Sequence, residues 1–262
     1  MNKPLVIKIG GAILDQQETG KESPLAALFK VISQLENQAL VLVHGGGCVV
    51  DDMLAQSGFT TEKKHGLRVT PATQMPVISG ALAGNVNKSI VATGVSMKLA
   101  TVGLALTDGD MVQCRLSDKG LGSVGEPSAN NSKLLDTLLN AQFIPVISSI
   151  GALENGDLVN VNADDAAVVI CQLLNAELLL LTDVNGVKDG SGEYLESLNS
   201  NQAKQLISQG VIAGGMTAKV NAALHAAHQL RRSIAVASWR SPEQIISMLK
   251  GDHIGTRIQA DC

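Results

Sequence analysis

Short apolar runs alternate with amphipathic stretches along the whole chain. Leu5–Ile9, Leu40–Val43, Thr101–Leu106, Ile144–Ser148, Leu178–Thr182 and Ile234–Ala237 are rich in leucine and β-branched residues, and read as strands. Several are apolar on consecutive residues rather than on every second one. That pattern marks strands covered on both faces, as in a parallel sheet. Helices fit between them. Ser23-Pro24 reads as an N-cap with proline at the first helical position, opening a helix to about Glu36. Residues 164–174 form a second helix. A third carries Met216, Val220, Ala223, Ala227 and Leu230 at helical spacing. Ser241-Pro242-Glu243-Gln244 resembles a capping box opening the last helix.

Strand–helix alternation predicts an α/β fold: a three-layer α/β/α sandwich around one mainly parallel central sheet, with right-handed crossovers. Two regions interrupt it. Residues 111–126 hold polar strand-like pieces around Asp118-Lys119-Gly120. Residues 153–161 read as a hairpin on the Asn155-Gly156 turn. With no Pro/Ser-rich linker, charge block or repeat, residues 1–262 are expected to form one domain with two lobes, 1–174 and 175–262.

Composition narrows the function. The net charge of −4 argues against a general nucleic-acid binder, and five aromatic residues leave little for base stacking. No apolar run reaches the ~18 residues of a membrane span. The start of the chain lacks the apolar segment of a signal peptide. The four cysteines form no metal-spaced pair. A reduced cytoplasmic protein is expected, with Cys48 and Cys171 as small buried residues.

The 26 glycines are not spread evenly. Gly10-Gly11 follows the first strand, Gly45-Gly46-Gly47 the second, and Gly214-Gly215 precedes the Met216 helix. Glycine at a strand-to-helix turn lets backbone N–H groups approach an anion, and the helix N-terminus adds partial positive charge. Singly, each pair is more often a tight turn than a ligand loop. Three at the ends of strands in one sheet point to a ligand crevice. There is no P-loop pattern, and the triple glycine lacks the dinucleotide fingerprint spacing.

Charges sit in unexpected places beside these loops. Lys8 lies inside an apolar strand, and its ammonium must reach the strand end or a counter-ion. Lys219 lies early in a helix, opposing the dipole unless an anion is near. Arg68 sits between Gly66 and Thr70-Pro71; alone it reads as a surface arginine, although its fork suits a carboxylate. Asn160, Asn162, Asp164 and Asp165 cluster after the hairpin, where Asn162 or Asp164 also reads as a helix cap. Asp183 closes a strand, where a carboxylate can orient lysines or bind Mg²⁺, although Asp183-Val184-Asn185-Gly186 is also good turn chemistry. The five histidines show no metal-ligand spacing, and no nucleophile–base pair stands out. Two lysines, glycine loops and an orienting aspartate suit phosphoryl transfer, where the protein positions groups and offsets charge.

These residues resemble the amino-acid kinase family over essentially the whole chain, Leu5 to about Ala260. The motifs are Lys8-Ile9-Gly10-Gly11, Val43-His44-Gly45-Gly46-Gly47, Gly66-Leu67-Arg68-Val69-Thr70, Ser148-Ser149-Ile150-Gly151, Asn160-Val161-Asn162-Ala163-Asp164, Leu181-Thr182-Asp183-Val184-Asn185-Gly186 and Gly215-Met216-Thr217-Ala218-Lys219. The resemblance implies a carbamate-kinase-like fold and transfer of the ATP γ-phosphoryl group to the γ-carboxylate of N-acetyl-L-glutamate, a step of arginine biosynthesis. It implies that Lys8 and Lys219 stabilise the transition state, that Asp164 holds both lysines, and that Gly11 and Gly45 offer N–H groups to the phosphoryl group. Gly45, Gly46, Arg68 and Asn160 would hold the acceptor, with Arg68 on its α-carboxylate. ATP would lie on Asp183, Val184, Asn185, Gly186, Val187 and Lys188, and on Val211, Ile212 and Ala213. Mg²⁺ would come with ATP, with no dedicated protein site.

Ala213 departs from the pattern, since many relatives carry a polar residue before the Gly-Gly-Met step. The chain starts at its first strand, without the extra N-terminal helix of arginine-inhibited relatives. A homodimer without that switch is therefore expected, with the helical region Pro71–Thr93 as the candidate interface. Three other readings are open. One is a longer acceptor such as acetylaminoadipate, which differs by one methylene worth ~1–3 kcal/mol. The second is a relative acting on carbamate, aspartate or a nucleoside monophosphate. The third is a non-catalytic binding protein, against which Lys8, Asp164 and Lys219 together argue.

Overall fold

A computed structural model describes residues 3–11, 13, 23–35, 37–64, 66–252 and 254–260. Glu36, where the first helix was expected to end, lies outside them, as do His65, His253 and Cys262.

In chain order the strands are β1 (Leu5–Ile9), β2 (Leu40–His44), β3 (Glu62–Lys64), β4 (Leu67–Val69), β5 (Thr101–Ala105), β6 (Val112–Leu116), β7 (Val124–Ala129), β8 (Ile144–Ser148), β9 (Ile150–Ala152), β10 (Leu158–Val161), β11 (Glu177–Thr182), β12 (Ser197–Leu198), β13 (Ile234–Ser238) and β14 (Thr256–Ile258). The helices are α1 (Pro24–Ile32), α2 (Gly47–Gln56), α3 (residues 75–96), α4 (Lys133–Asn140), α5 (Ala163–Leu174), α6 (Ser200–Ser208), α7 (Gly215–Leu230) and α8 (Gln244–Leu249).

Eight strands form the central sheet in the order β12-β14-β13-β11-β1-β2-β8-β5. All neighbours pair in parallel except β13 with β14. β1 bridges the two halves of the chain, pairing with β2 on one side and β11 on the other. β2 is buried at every position, as its unbroken apolar run predicts. Each such aliphatic side chain contributes about 1.5–3 kcal/mol by leaving water. Helix α5 supplies much of one covering layer through Ala166–Cys171, and α1 with its Leu28 and Phe29 packs in the other.

The two interrupting regions combine in a second sheet, β6-β7-β10-β9. β9 and β10 form the expected hairpin, with Gly156 at φ 89° in the turn. β3 and β4 form a third, two-stranded sheet that the sequence pattern did not signal, because its strands are three residues long and carry Glu62, Lys63, Lys64 and Arg68.

Two local expectations are corrected. No capping box forms at Ser241. Instead α8 opens at Gln244, and the reciprocal capping box belongs to Asn199 and Gln202 at the start of α6. Pro242 lies in a turn in which the Gln244 N–H donates to the Ser241 carbonyl. Cys171 is buried, but Cys48 is exposed, because it falls in the first turn of α2 at the rim of the sheet.

Helix α3 is not regular. Between α-helical Met75–Ser79 and Asn87–Ser96, residues Gly80–Val86 wind as a π-helix. Such widened turns are rare and cluster at functional sites. This one packs beneath the triple-glycine loop.

Candidate active site

The register of the central sheet aligns the glycine loops. Ile9 is level with His44 on one side and Leu181 on the other, and His44 is level with Ser148. Thr182 is level with Ser238. Gly10-Gly11, Gly45-Gly46 and Asp183 therefore leave the sheet at one edge, the carboxyl ends of the parallel strands, where open α/β sheets bind ligands. A separate cavity of about 600 Å³, lined by Glu177, Arg232 and Arg257 among others, lies at the opposite ends of β11 and β13. It is remote from the glycine loops.

Lys8 is the one charged residue of β1. Its ammonium meets Asp164 Oδ1 at 2.8 Å, so the counter-ion required by its buried strand is supplied from the first turn of α5. Asn162 caps that helix, accepting from the N–H groups of Asp164 and Asp165 at 2.8 and 3.4 Å. The cap therefore belongs to Asn162, which leaves the Asp164 carboxylate for Lys8. Gly45 lies against the same turn, and a Cβ there would come within 3.2 Å of Ala163 Cβ.

Lys219, in the second turn of α7, pairs with Asp183 at the end of β11. The expected sharing of Asp164 by both lysines is therefore not what the side chains adopt. Each ammonium has its own aspartate, because Asp183 leaves β11 directly toward α7. The hydrogen bond from Lys219 holds the Asp183 carboxyl below the usual carboxylate range. Asp165 is shifted the other way by burial, against a partial offset from His225.

Arg68 reaches from β4 to the start of α2. It meets Asp51 Oδ1 at 2.6 Å and donates to the Gly47 carbonyl at 3.1 Å. Lys63 also reaches Asp51, at 3.1 Å. Burial raises the Asp51 carboxyl, but the hydrogen bonds from Arg68, Lys63 and Thr61 outweigh it and leave the group below its ordinary value. Asn160 donates to Thr70 Oγ1 at 3.2 Å, tying β10 to the segment that follows Arg68. Arg68 thus lies against the start of α2, Gly45 against the start of α5, and Asn160 against Thr70, two residues after Arg68.

On the other side, Thr182, Val184, Gly186, Val187, Met216 and Lys219 line a small apolar cavity between β11 and α7. The Val187 N–H donates to Thr256 Oγ1 at 2.8 Å, which fixes the turn after Asp183. The Lys188 ammonium lies over the Tyr194 ring, 5.0 Å from its centroid. Val211 and Ala213 are exposed and Ile212 is buried beneath them, just ahead of α7.

The sequence placed His44 in the triple-glycine motif but gave it no role, and did not single out Asn87. His44 is fully buried, and its Nδ1 lies 2.7 Å from the Gly45 carbonyl oxygen. Asn87 Nδ2 lies 3.0 Å from its Nε2. The signal available was a polar residue ending an apolar strand, and a polar residue on the apolar face that Val86 and Ile90 mark in α3. Among the described residues no group of three or more His, Cys, Asp or Glu side chains is placed to hold a metal ion, and no helix is long and apolar enough to cross a membrane.

A mainly parallel α/β sheet with paired lysines and glycine loops at its carboxyl edge is the arrangement of a phosphotransferase. Residues 3–238 match the amino acid kinase family, and the chain belongs to that family. It is 75% identical over 257 residues to the acetylglutamate kinase of Colwellia psychrerythraea, covering 98% of this chain and 97% of that protein. The fold is similar to that of N-acetylglutamate synthase from Neisseria gonorrhoeae, with a TM-score of 0.79 at 23% identity, over 99% of this chain and 60% of that one. It is also similar to that of carbamate kinase from Giardia lamblia, with a TM-score of 0.68 at 18% identity, over 99% of each.

Proposed function

We infer that the chain is an ATP-dependent kinase acting on N-acetyl-L-glutamate, forming N-acetyl-L-glutamyl 5-phosphate and ADP in arginine biosynthesis. The near-full-length identity to an acetylglutamate kinase carries the reading. Two lysine–aspartate pairs, Lys8–Asp164 at the end of β1 and Lys219–Asp183 at the end of the adjacent β11, give it a mechanism.

An oxygen of the acceptor's γ-carboxylate attacks the γ-phosphorus of ATP. The new O–P bond forms as the bond from the γ-phosphorus to the β,γ-bridging oxygen breaks, and that electron pair leaves on ADP. Both reactants are anions, so charge must be offset before they meet. Lys8 and Lys219 do this from the acceptor and nucleotide sides, each oriented by its aspartate, Asp164 or Asp183. The N–H groups of Gly11 and Gly45 receive the equatorial oxygens of the phosphoryl group, where charge gathers in a loose transition state. Such donors cost no reorganisation during the reaction because the strand ends hold them in place.

Gly45, Gly46, Arg68 and Asn160 hold the acceptor, within residues 1–174. Arg68 offers a bidentate fork to the α-carboxylate, which takes the place of Asp51 on part of that fork. ATP lies against residues 175–262, on Asp183–Lys188 and Val211–Ala213, with backbone contact only at Ala213. Mg²⁺ accompanies ATP, held by phosphate oxygens and water, since both cleft aspartates are engaged by lysines. The working form is a cytoplasmic homodimer, with α3 at its interface. ADP release measured in a coupled assay tests the reading. It should depend on N-acetylglutamate, and equal rates with and without the acceptor would refute it.

A further inference from the structure

We propose that His44 is a positioning residue. It locks the Gly45–Gly46 peptide in the orientation that receives the acceptor, with Asn87 selecting its tautomer. This rests on the reading of Gly45 and Gly46 as acceptor-binding groups.

The tautomer follows from the surrounding chemistry. Asn87 Nδ2 lies 2.8 Å from the Val146 carbonyl and 3.3 Å from that of Leu104. Carbonyls only accept, so the amide nitrogen must be the atom placed there. The same nitrogen faces His44 Nε2 at 3.0 Å, so Nε2 must be unprotonated and accepting. The ring proton is then on Nδ1, where it donates to the Gly45 carbonyl at 2.7 Å. The amide has two hydrogens for these three acceptors: Val146 at 2.8 Å and His44 Nε2 at 3.0 Å take them, and the longer contact to the Leu104 carbonyl is only a shared one. Asn87 Oδ1 accepts from Lys88 Nζ at 3.3 Å.

The consequence for the loop follows from peptide geometry. In a trans peptide the carbonyl and the next N–H point in opposite directions. Fixing the Gly45 carbonyl against His44 therefore fixes the Gly46 N–H away from the core, toward the cleft. Two further features hold the device together. Val86 and Leu82, in the π-helical stretch of α3, press on Gly46, where a Cβ would come within 2.9 Å of Val86 Cγ2. Gly103 on β5 leaves room for Asn87, because a Cβ there would collide with its carboxamide oxygen. Both His44 and Asn87 are buried, with 0% and 1% exposure, so neither can touch a substrate from its present position.

The test combines kinetics with nitrogen-15 NMR of the imidazole ring on the full chain. His44→Asn keeps a donor near the position of Nδ1, and Asn87 still has two carbonyl acceptors. His44→Leu removes the donor. The expected result is a loss on the order of 100-fold in kcat for His44→Leu, with the KM for ATP unchanged, and recovery of most of it in His44→Asn. Wild-type kinetics in His44→Leu, or equal impairment in both variants, would overturn the proposal. The ring spectrum of the wild type should show a neutral Nδ1–H tautomer from pH 6 to 8, and an Nε2–H tautomer would also overturn it. The spectrum needs no turnover, so it still decides the lock if His44→Leu does not fold. An inactive wild type would sink the functional reading instead, with the tautomer and the loop geometry read separately.

Discussion

Lys8 and Asp164 meet at 2.8 Å although they lie in different elements, one in an interior strand and the other in the first turn of α5. Asp164 sits there because Asn162 takes the cap, and Lys8 is tolerated in a buried strand because Asp164 awaits it. Removing the charge of Asp164 should leave Lys8 present but misdirected. Asp164→Asn is expected to lower kcat by roughly 100-fold, approaching the effect of Lys8→Ala, since a donor aimed at developing charge is worth about 10²–10³. Steady-state kinetics of the two variants and their double mutant check this. Effects that multiply would show that the two residues act independently.

Asp183 stands in the same relation to Lys219, and the pair is more open to solvent. The Asp183 carboxyl is depressed in the folded state. Its contribution to stability is therefore present above the unfolded carboxylate value and is lost as pH falls through the folded one. Exposure keeps that contribution within about 1 kcal/mol. Asp183→Asn should thus change the urea midpoint little at pH 7 while reducing turnover clearly. A large loss of stability with intact turnover would reverse these roles.

Arg68 shares its guanidinium between Asp51 and the Gly47 carbonyl. Arg68→Ala should raise the KM for acetylglutamate about 10- to 100-fold, the equivalent of one charge-assisted hydrogen bond of about 1.5–3 kcal/mol. The KM for ATP should be unchanged. Asp51→Asn should leave that KM unchanged or lower it, because the α-carboxylate then displaces no charged partner from Arg68, which Gly47 still holds.

Burial lowers the His44 pKa from 6.5 to about 4. Between these values the unfolded chain binds a proton that the folded chain does not, so this group lowers stability as pH falls from 6.5 toward 4. The full cost is about 3 kcal/mol. Urea unfolding of the wild type and of His44→Asn at pH 7.5 and 5 should show a steeper loss in the wild type. Parallel losses would mean that His44 is not held neutral by the fold.

Much of the fold was legible because its strands are buried on both faces. Leu5–Ile9 and Ile144–Ser148 are read to the residue, since short, mostly aliphatic and β-branched runs of this length fit a strand covered on both faces. The β3–β4 hairpin was not legible, because its short charged strands have no core face to pattern. The site followed the same division. Lys8 stood out as a charge among aliphatics. His44 and Asn87 did not, because their significance lies in a contact between distant segments that no local pattern encodes. The assignment of Lys219 to Asp183 rather than Asp164 is likewise a matter of which strand end faces α7.

Phosphorylation of a carboxylate is recorded in the product itself. Acyl phosphates react with hydroxylamine to give hydroxamates. With ATP and Mg²⁺, the chain should form hydroxamate from N-acetyl-L-glutamate and little or none from glutamate. Lys8→Ala should form far less. Absence of hydroxamate from N-acetylglutamate in the wild type, despite a folded protein that binds ATP, would mean that no acyl phosphate is made.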